Sequence, residues 1–225
     1  MKSICTALLL LVTLQVAAQR ISKITMSETG AIEAFAIELD ESVVVNVSST
    51  GEVGDWGIEI YRGRTDRMVE RLEPYTGRVD YFRENDNEAF RGKVRSIGMK
   101  QFTYYASFDE ELLRGKLKSI GGVAVEYYGR FDEEKLRGKI KRIGSNEIQY
   151  FSSFDIAFAG KVKAIGPTSI TYYSTTDDKA IRGKVKSIGN AQFTYYTSFE
   201  RRELVGNMKR GTRLQYINGI KFFIK

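Results

Sequence analysis

The residues of this chain best equipped for surface chemistry are lysines and tyrosines that recur in step. Lys93, Lys116, Lys139, Lys161 and Lys184 each follow a glycine, and Arg95, Lys118, Lys141, Lys163 and Lys186 come two positions later. Tyr105, Tyr128, Tyr173 and Tyr196, with Phe151 at the matching place, stand between the two rows. Basic rows interleaved with aromatic platforms can hold an anionic polymer or a glycan, because ammonium groups pair with negative charge while rings stack on flat faces. On that chemistry the candidate binding residues are Lys116, Lys118, Tyr128, Lys139, Lys141, Tyr173, Lys184, Lys186 and Tyr196. The same rows have a plainer use, which is the one expected. Lysine stems cover tyrosine rings, cation–π contacts add a little, and the charges keep a strand face soluble.

A second pattern is acidic: Asp109-Glu110-Glu111, Asp132-Glu133-Glu134, Asp155, Asp177-Asp178 and Glu200. These fall on one rim, about 10 Å apart if each unit is a hairpin. Converging carboxylates can bind calcium, but the spacing lacks a calcium-loop signature and Lys135, Arg201 and Arg202 intrude. Solvated turns pairing with nearby cations are expected instead.

Other chemistries are missing from the inventory. The chain has no histidine, and its one cysteine is Cys5. Ser-His-Asp, Cys-His and His-metal sites are thereby excluded. Carboxylate acid–base catalysis remains possible in principle, yet no acidic pair stands apart from its repeat-mates. Neither enzymatic activity nor a cofactor nor a metal is expected.

Positioning these residues is the work of a repeat. Gly-Lys-Val-Lys-Ser-Ile-Gly, a Tyr-Tyr step, then Phe-Asp and an acidic turn open at Gly92, Gly115, Gly138, Gly160, Gly183 and, degraded, Gly206; the steps are 23, 23, 22, 23 and 23 residues. A fixed period means one supersecondary unit stacked on copies of itself. Alternating polarity makes the unit a β-hairpin, with Tyr104, Tyr127, Tyr150, Tyr172 and Tyr195 on the packed face. A three-residue loop at Gly189, Asn190 and Ala191 predicts Val185 opposite Tyr195, and Ser187 opposite Phe193, on that face; Ile188 falls with Lys186 on the other. Between copies, Tyr104 faces Leu117, and Phe108, Phe131 and Phe154 pair across the acidic turns on the packed side.

The predicted fold is all-β: an elongated or coiled up-and-down antiparallel β-meander of ~23-residue hairpin repeats with a small N-terminal β module. Residues 1–18 read as a secretory signal cut after Ala18, from Lys2, the apolar run and Val16-Ala17-Ala18. Residues 19–76 form the β module, with strands at 21–26, 31–39, 43–48 and 56–61 and a degraded copy at 62–75. Residues 77–225 are the array, closed by a capping hairpin at Asn218-Gly219. The module carries 6 basic and 11 acidic residues, the array 28 and 17. This asymmetry implies an anionic partner or attraction between the two parts. The aromatic face must be covered by self-coiling, by closure into a barrel, or by the N-terminal strands. An outer-membrane β-barrel is the alternative reading, although strands of about eight residues are short for its ~25 Å apolar band.

Gly115-Lys116-Leu117-Lys118 and Tyr127-Tyr128, with their copies, resemble MORN-type (membrane occupation and recognition nexus) repeats over roughly 77–205. The family's Gly-x-Gly steps and tryptophan are missing. The resemblance implies an elongated antiparallel meander with a binding or scaffolding role and no catalytic residue. The expected function is that of a secreted, non-enzymatic structural or binding module at the cell surface or in the periplasm. The expected partner is an anionic glycan or another envelope component, with no intracellular nucleic acid, and with membrane insertion only on the barrel reading.

Overall fold

The computed structural model describes residues 20–39, 43–62 and 69–225. The expected signal segment lies outside them. Among the described residues the fold is strands and turns. Five strands come first: β1 Arg20–Met26, β2 Ile32–Glu38, β3 Val43–Val47, β4 Val53–Arg62 and β5 Val69–Glu73. The array supplies β6 Val79–Tyr81, β7 Val94–Ile97, β8 Lys100–Tyr104, β9 Leu117–Ile120, β10 Val123–Tyr127, β11 Ile140–Ile143, β12 Asn146–Tyr150, β13 Val162–Ile165, β14 Thr168–Tyr172, β15 Val185–Ile188 and β16 Ala191–Gln192. The chain ends with β17 Thr194–Tyr195, β18 Met208–Arg210, β19 Leu214–Ile217 and β20 Ile220–Ile224. Strands β6 to β16 form an eleven-stranded meander in sequence order, and β17 pairs with β18 beyond it.

Each copy carries two branched apolar residues three positions apart, such as Leu117 and Ile120 or Val185 and Ile188. An unbroken strand would send such a pair to opposite faces, yet all four are buried. A β-bulge reconciles the spacing with the core. Tyr104 pairs with Leu117 while Thr103 pairs with Ser119, so Lys118 is the extra residue. Lys141, Lys163, Lys186 and, in the first copy, Arg95 occupy the same position.

The bulge overturns the expected hairpin register. The turn has two residues, not three: Ile188 pairs with Ala191 and Ser187 with Gln192, across Gly189-Asn190. Gly98, Gly121, Gly144, Gly166 and Gly189 open these turns with φ between 51° and 58°. Pro167 fits the second position, as in a type II′ turn. Ile188 therefore points into the core, and Ser187 turns outward to share a 2.6 Å hydrogen bond with Thr171. The inward tyrosines and the Tyr104–Leu117 pairing are as expected.

A seven-stranded sheet, ordered β19-β20-β1-β2-β3-β4-β5, covers the aromatic face. Of the three possible coverings, the chain uses its N-terminal strands. The segment 31–39 is strand, as expected, whereas β5 is an edge strand of this sheet rather than a degraded copy. The Asn218-Gly219 hairpin does not close the array; β20 lies parallel to β1, in the other sheet. Lys23, on β1, forms a buried 2.8 Å ion pair with Glu59 of β4, which Lys221 of β20 approaches at 3.3 Å.

Two turns of the first sheet dock on the array's rim. Gly51 O accepts from Leu117 N–H (3.1 Å), Ser49 O from Ile140 N–H (2.9 Å) and Glu28 O from Val185 N–H (2.7 Å). Gly51, with φ +86°, lies so close to Tyr127 that a Cβ would sit 1.9 Å from its hydroxyl. We expect Gly51→Ala to destabilise the fold by about 1–3 kcal/mol through strain and collision. Gly219→Ala, with similar φ but open space around it, should cost less. Equal urea midpoints for the two variants would refute the docking geometry.

Candidate functional site

The array's side chains form longitudinal ladders, and they divide the candidate residues. The five inward tyrosines are buried, and Tyr104, Tyr127, Tyr150 and Tyr172 donate their hydroxyls to the carbonyls of Val94, Leu117, Ile140 and Val162 at 2.6–3.3 Å. Burial raises the pKa of each above the ordinary phenol range. Tyr195 breaks the series: its hydroxyl is buried with no hydrogen-bond partner among the described residues.

Lys93, Lys116, Lys139, Lys161 and Lys184 form the next ladder. Each ammonium donates to the glycine carbonyl of the following copy, as in Lys116 to Gly138 (2.7 Å) and Lys139 to Gly160 (3.1 Å); Lys184 meets Gly206 in the same way. Each also lies 4.8–5.6 Å from the centroid of its own copy's inward tyrosine. Half-burial lowers the pKa of Lys116, Lys139 and Lys161. These lysines brace one copy against the next.

The bulge cations Arg95, Lys118, Lys141, Lys163 and Lys186, with Lys209, make a separate row on the outer face. They lie 5.3–5.9 Å from the rings of Phe82, Tyr105, Tyr128, Phe151, Tyr173 and Tyr196. Tyr128 and Tyr173 donate to the carbonyls of Ile148 (3.0 Å) and Phe193 (2.9 Å). Burial first, and neighbouring carboxylates second, raise the pKa of both phenols. The nine candidates thus do not line one groove. Lys116, Lys139 and Lys184 belong to the inner brace; Lys118, Tyr128, Lys141, Tyr173, Lys186 and Tyr196 belong to the outer face.

The acidic turns are committed to their own backbone. Asp109 accepts from Ala106 N–H (2.6 Å), Asp132 from Gly129 (2.7 Å), Asp177 from Ser174 (2.5 Å) and Glu200 from Thr197 (2.8 Å). The next acid reaches forward one copy: Glu110 accepts from Arg130 N–H (3.0 Å), Glu133 from Ser153 (2.6 Å) and Asp178 from Ser198 (3.0 Å). Hydrogen bonds from Ser174 and Ser198 hold the Asp177 and Asp178 carboxyls below the usual range. Among the described residues, no three His, Cys, Asp or Glu side chains gather as a metal would require.

These turns also correct the expected place of the phenylalanines. Strand pairing stops at Tyr105, which exchanges hydrogen bonds with Lys116 and Gly115. The Asp109 carboxylate then curls the chain back at Ala106, and Phe108 is thrown outward. Phe108 is 85 % exposed, Phe131 and Phe154 90 %, and Phe199 91 %, with Ile156 beside Phe154 at 92 %. A row of bare aromatic tips therefore runs along the rim. Thr176 at the equivalent position was the readable signal, since a packed position would not accept a polar residue so easily.

The tyrosine ladder makes a paired forecast. Tyr127→Phe should cost about 1–2 kcal/mol, because a buried carbonyl loses its donor. Tyr195→Phe should be neutral or stabilising, since its hydroxyl has no partner to lose among the described residues. Chemical denaturation of both variants checks this, and equal losses would contradict it. Comparison with protein-family models, curated proteins and solved structures finds no match to this chain.

Proposed function

We propose that this chain is an exported, non-enzymatic β-repeat module of MORN type, serving a binding or scaffolding role in the cell envelope and meeting its partner through the phenylalanine rim. The observation that carries this reading is a nearly bare aromatic tip at the same position of four copies, Phe108, Phe131, Phe154 and Phe199. Large exposed apolar side chains in a contiguous row mark contact surfaces. Phe108, Phe131 and Phe154 follow one another at roughly 10 Å, the width of one hairpin, and Thr176 stands between Phe154 and Phe199. The carboxylates between them are engaged with backbone N–H groups, an arrangement suited to holding a rim in shape rather than to catalysis.

The other readings draw less support. The aromatic face is covered by the seven-stranded sheet and the outer face carries the bulge lysines, so the array's two faces, among the described residues, lack the apolar band for lipid that a membrane barrel needs. A glycan groove along the Lys/Tyr face loses the inner lysine row to bracing contacts. The outer row, with its rings half-covered, suits solubility.

The test replaces Phe108, Phe131, Phe154 and Phe199 together with serine. Their exposure predicts little change in thermal stability. Retention of the protein with the envelope fraction should fall about tenfold or more, as loss of a contact centre entails. A second variant, carrying glutamine at Lys118, Lys141, Lys163 and Lys186, should be retained like the parent. Unchanged retention of the serine variant would remove the rim from the function.

A further inference from the structure

Four successive Gly-Lys-apolar steps run beneath the two docked turns. Three bond to a turn through the apolar residue's N–H: Leu117 to Gly51, Ile140 to Ser49 and Val185 to Glu28. At the remaining step, Gly160-Lys161-Val162, the turns part. A cavity of about 380 Å³ opens there, bounded by Thr29–Ile32 and Ser49 on one side and by Lys139, Tyr150 and Lys161 on the other. That volume is at the small end of the ~300–1,000 Å³ typical of ligand pockets.

The repeat departs from itself at the same place. The step from Gly138 to Gly160 is the one of 22 residues. In four other copies an arginine precedes the glycine, and Arg91, Arg114, Arg137 and Arg182 each donate through Nε to a turn carbonyl. Here that residue is Ala159, which lines the cavity. The long cation is missing from the one copy that faces the opening.

The charges differ too. Lys184 is paired with Glu28 at 2.6 Å, and Glu52 lies close enough to Lys116 to favour its charged form. Lys139 and Lys161, the two lysines at the cavity, have no carboxylate partner among the described residues. Lys161 donates to Thr29 O (3.0 Å) and Gly183 O. The one protein acceptor for Lys139 among the described residues is Gly160 O, so an ammonium with three donors has capacity to spare. Burial holds both amines below the ordinary lysine pKa, a penalty that an incoming anion would relieve. Beside them Ile32, Tyr150 and Val162 are each at most 9 % exposed and provide an apolar floor.

We propose that this cavity binds a small amphiphilic anion, a carboxylate with a short apolar body. The head group meets the ammonium groups of Lys139 and Lys161, and the body lies against Ile32, Tyr150 and Val162. The site is independent of the phenylalanine rim and stands or falls without it.

Titration calorimetry with hexanoate tests the assignment, with acetate as the charge-only probe and hexan-1-ol as the body-only probe. Hexanoate should bind saturably, and both partial probes should bind about tenfold more weakly or worse, as should hexanoate to Lys139→Met. The native protein provides a second readout that needs no variant. Hexanoate should protect Lys139 and Lys161 from limiting acetic anhydride, mapped by peptide mass, and leave Lys118 and Lys186 as reactive as before. Non-saturable binding of hexanoate, equal affinity for hexan-1-ol, or protection no greater at Lys139 and Lys161 than elsewhere would overturn the proposal.

Discussion

In five copies of the array a lysine ammonium is held between a tyrosine ring and the glycine carbonyl of the next copy, as Lys116 is between Tyr127 and Gly138. The ladder hydrogen bonds join strands only as far as the Tyr-Tyr step, and the turns beyond would otherwise swing freely. A compact cation on a flexible stem can reach across one hairpin, cover an aromatic face and still present a donor to a carbonyl. Repeated five times, this contact sets the spacing of the rim, and the acidic turns add a parallel line of bonds from Glu110, Glu133 and Asp178. The brace also decides what the surface can offer. It withdraws the inner row of lysines from solvent chemistry and leaves the outer cations and the phenylalanine tips exposed.

The bulge serves the fold and the surface together. It brings residues such as Val185 and Ile188 to one face, and in doing so expels Lys186 to the other. One extra residue per hairpin thus produces a continuous aliphatic floor beneath the tyrosines and a line of cations above the outer rings. The first sheet completes the core from the opposite side, through Phe35, Phe222 and their neighbours. Its turns supply carbonyls to the bulged strands, and the one step left between those turns is where the cavity lies.

Much of this was legible in the residues. The period, the hairpin unit, the all-β class and the inward tyrosines follow from polarity and spacing alone. The hairpin loop did not, because a strict alternation of two cannot place Val185 and Ile188 together; apolar residues three apart, with a lysine between, are the written sign of a bulge. The phenylalanines misled for a related reason. Phe108 is apolar and sits where an extended hairpin would bury it, but Asp109 bonds back to Ala106 and ends the strand first. The outer Lys/Tyr row was visible, whereas the inner row's role depends on carbonyls 21 or 22 residues away, which no local pattern reveals. The destination of the final hairpin was equally hidden, since Asn218-Gly219 specifies a turn and not a neighbour.

Strands β1 and β20 lie side by side, and this has a consequence for how such a chain can be made and varied. A free-standing solenoid tolerates the loss or gain of a unit, because each unit touches only its neighbours. Here the first and last described strands are zipped together, while the turns after β1 and β3 grip copies as far apart as Leu117 and Val185. The number of units is therefore fixed by the breadth of the sheet lying over them. Closure must also wait until β20 has been made, so that assembly depends on contacts far apart in the sequence, which slow folding.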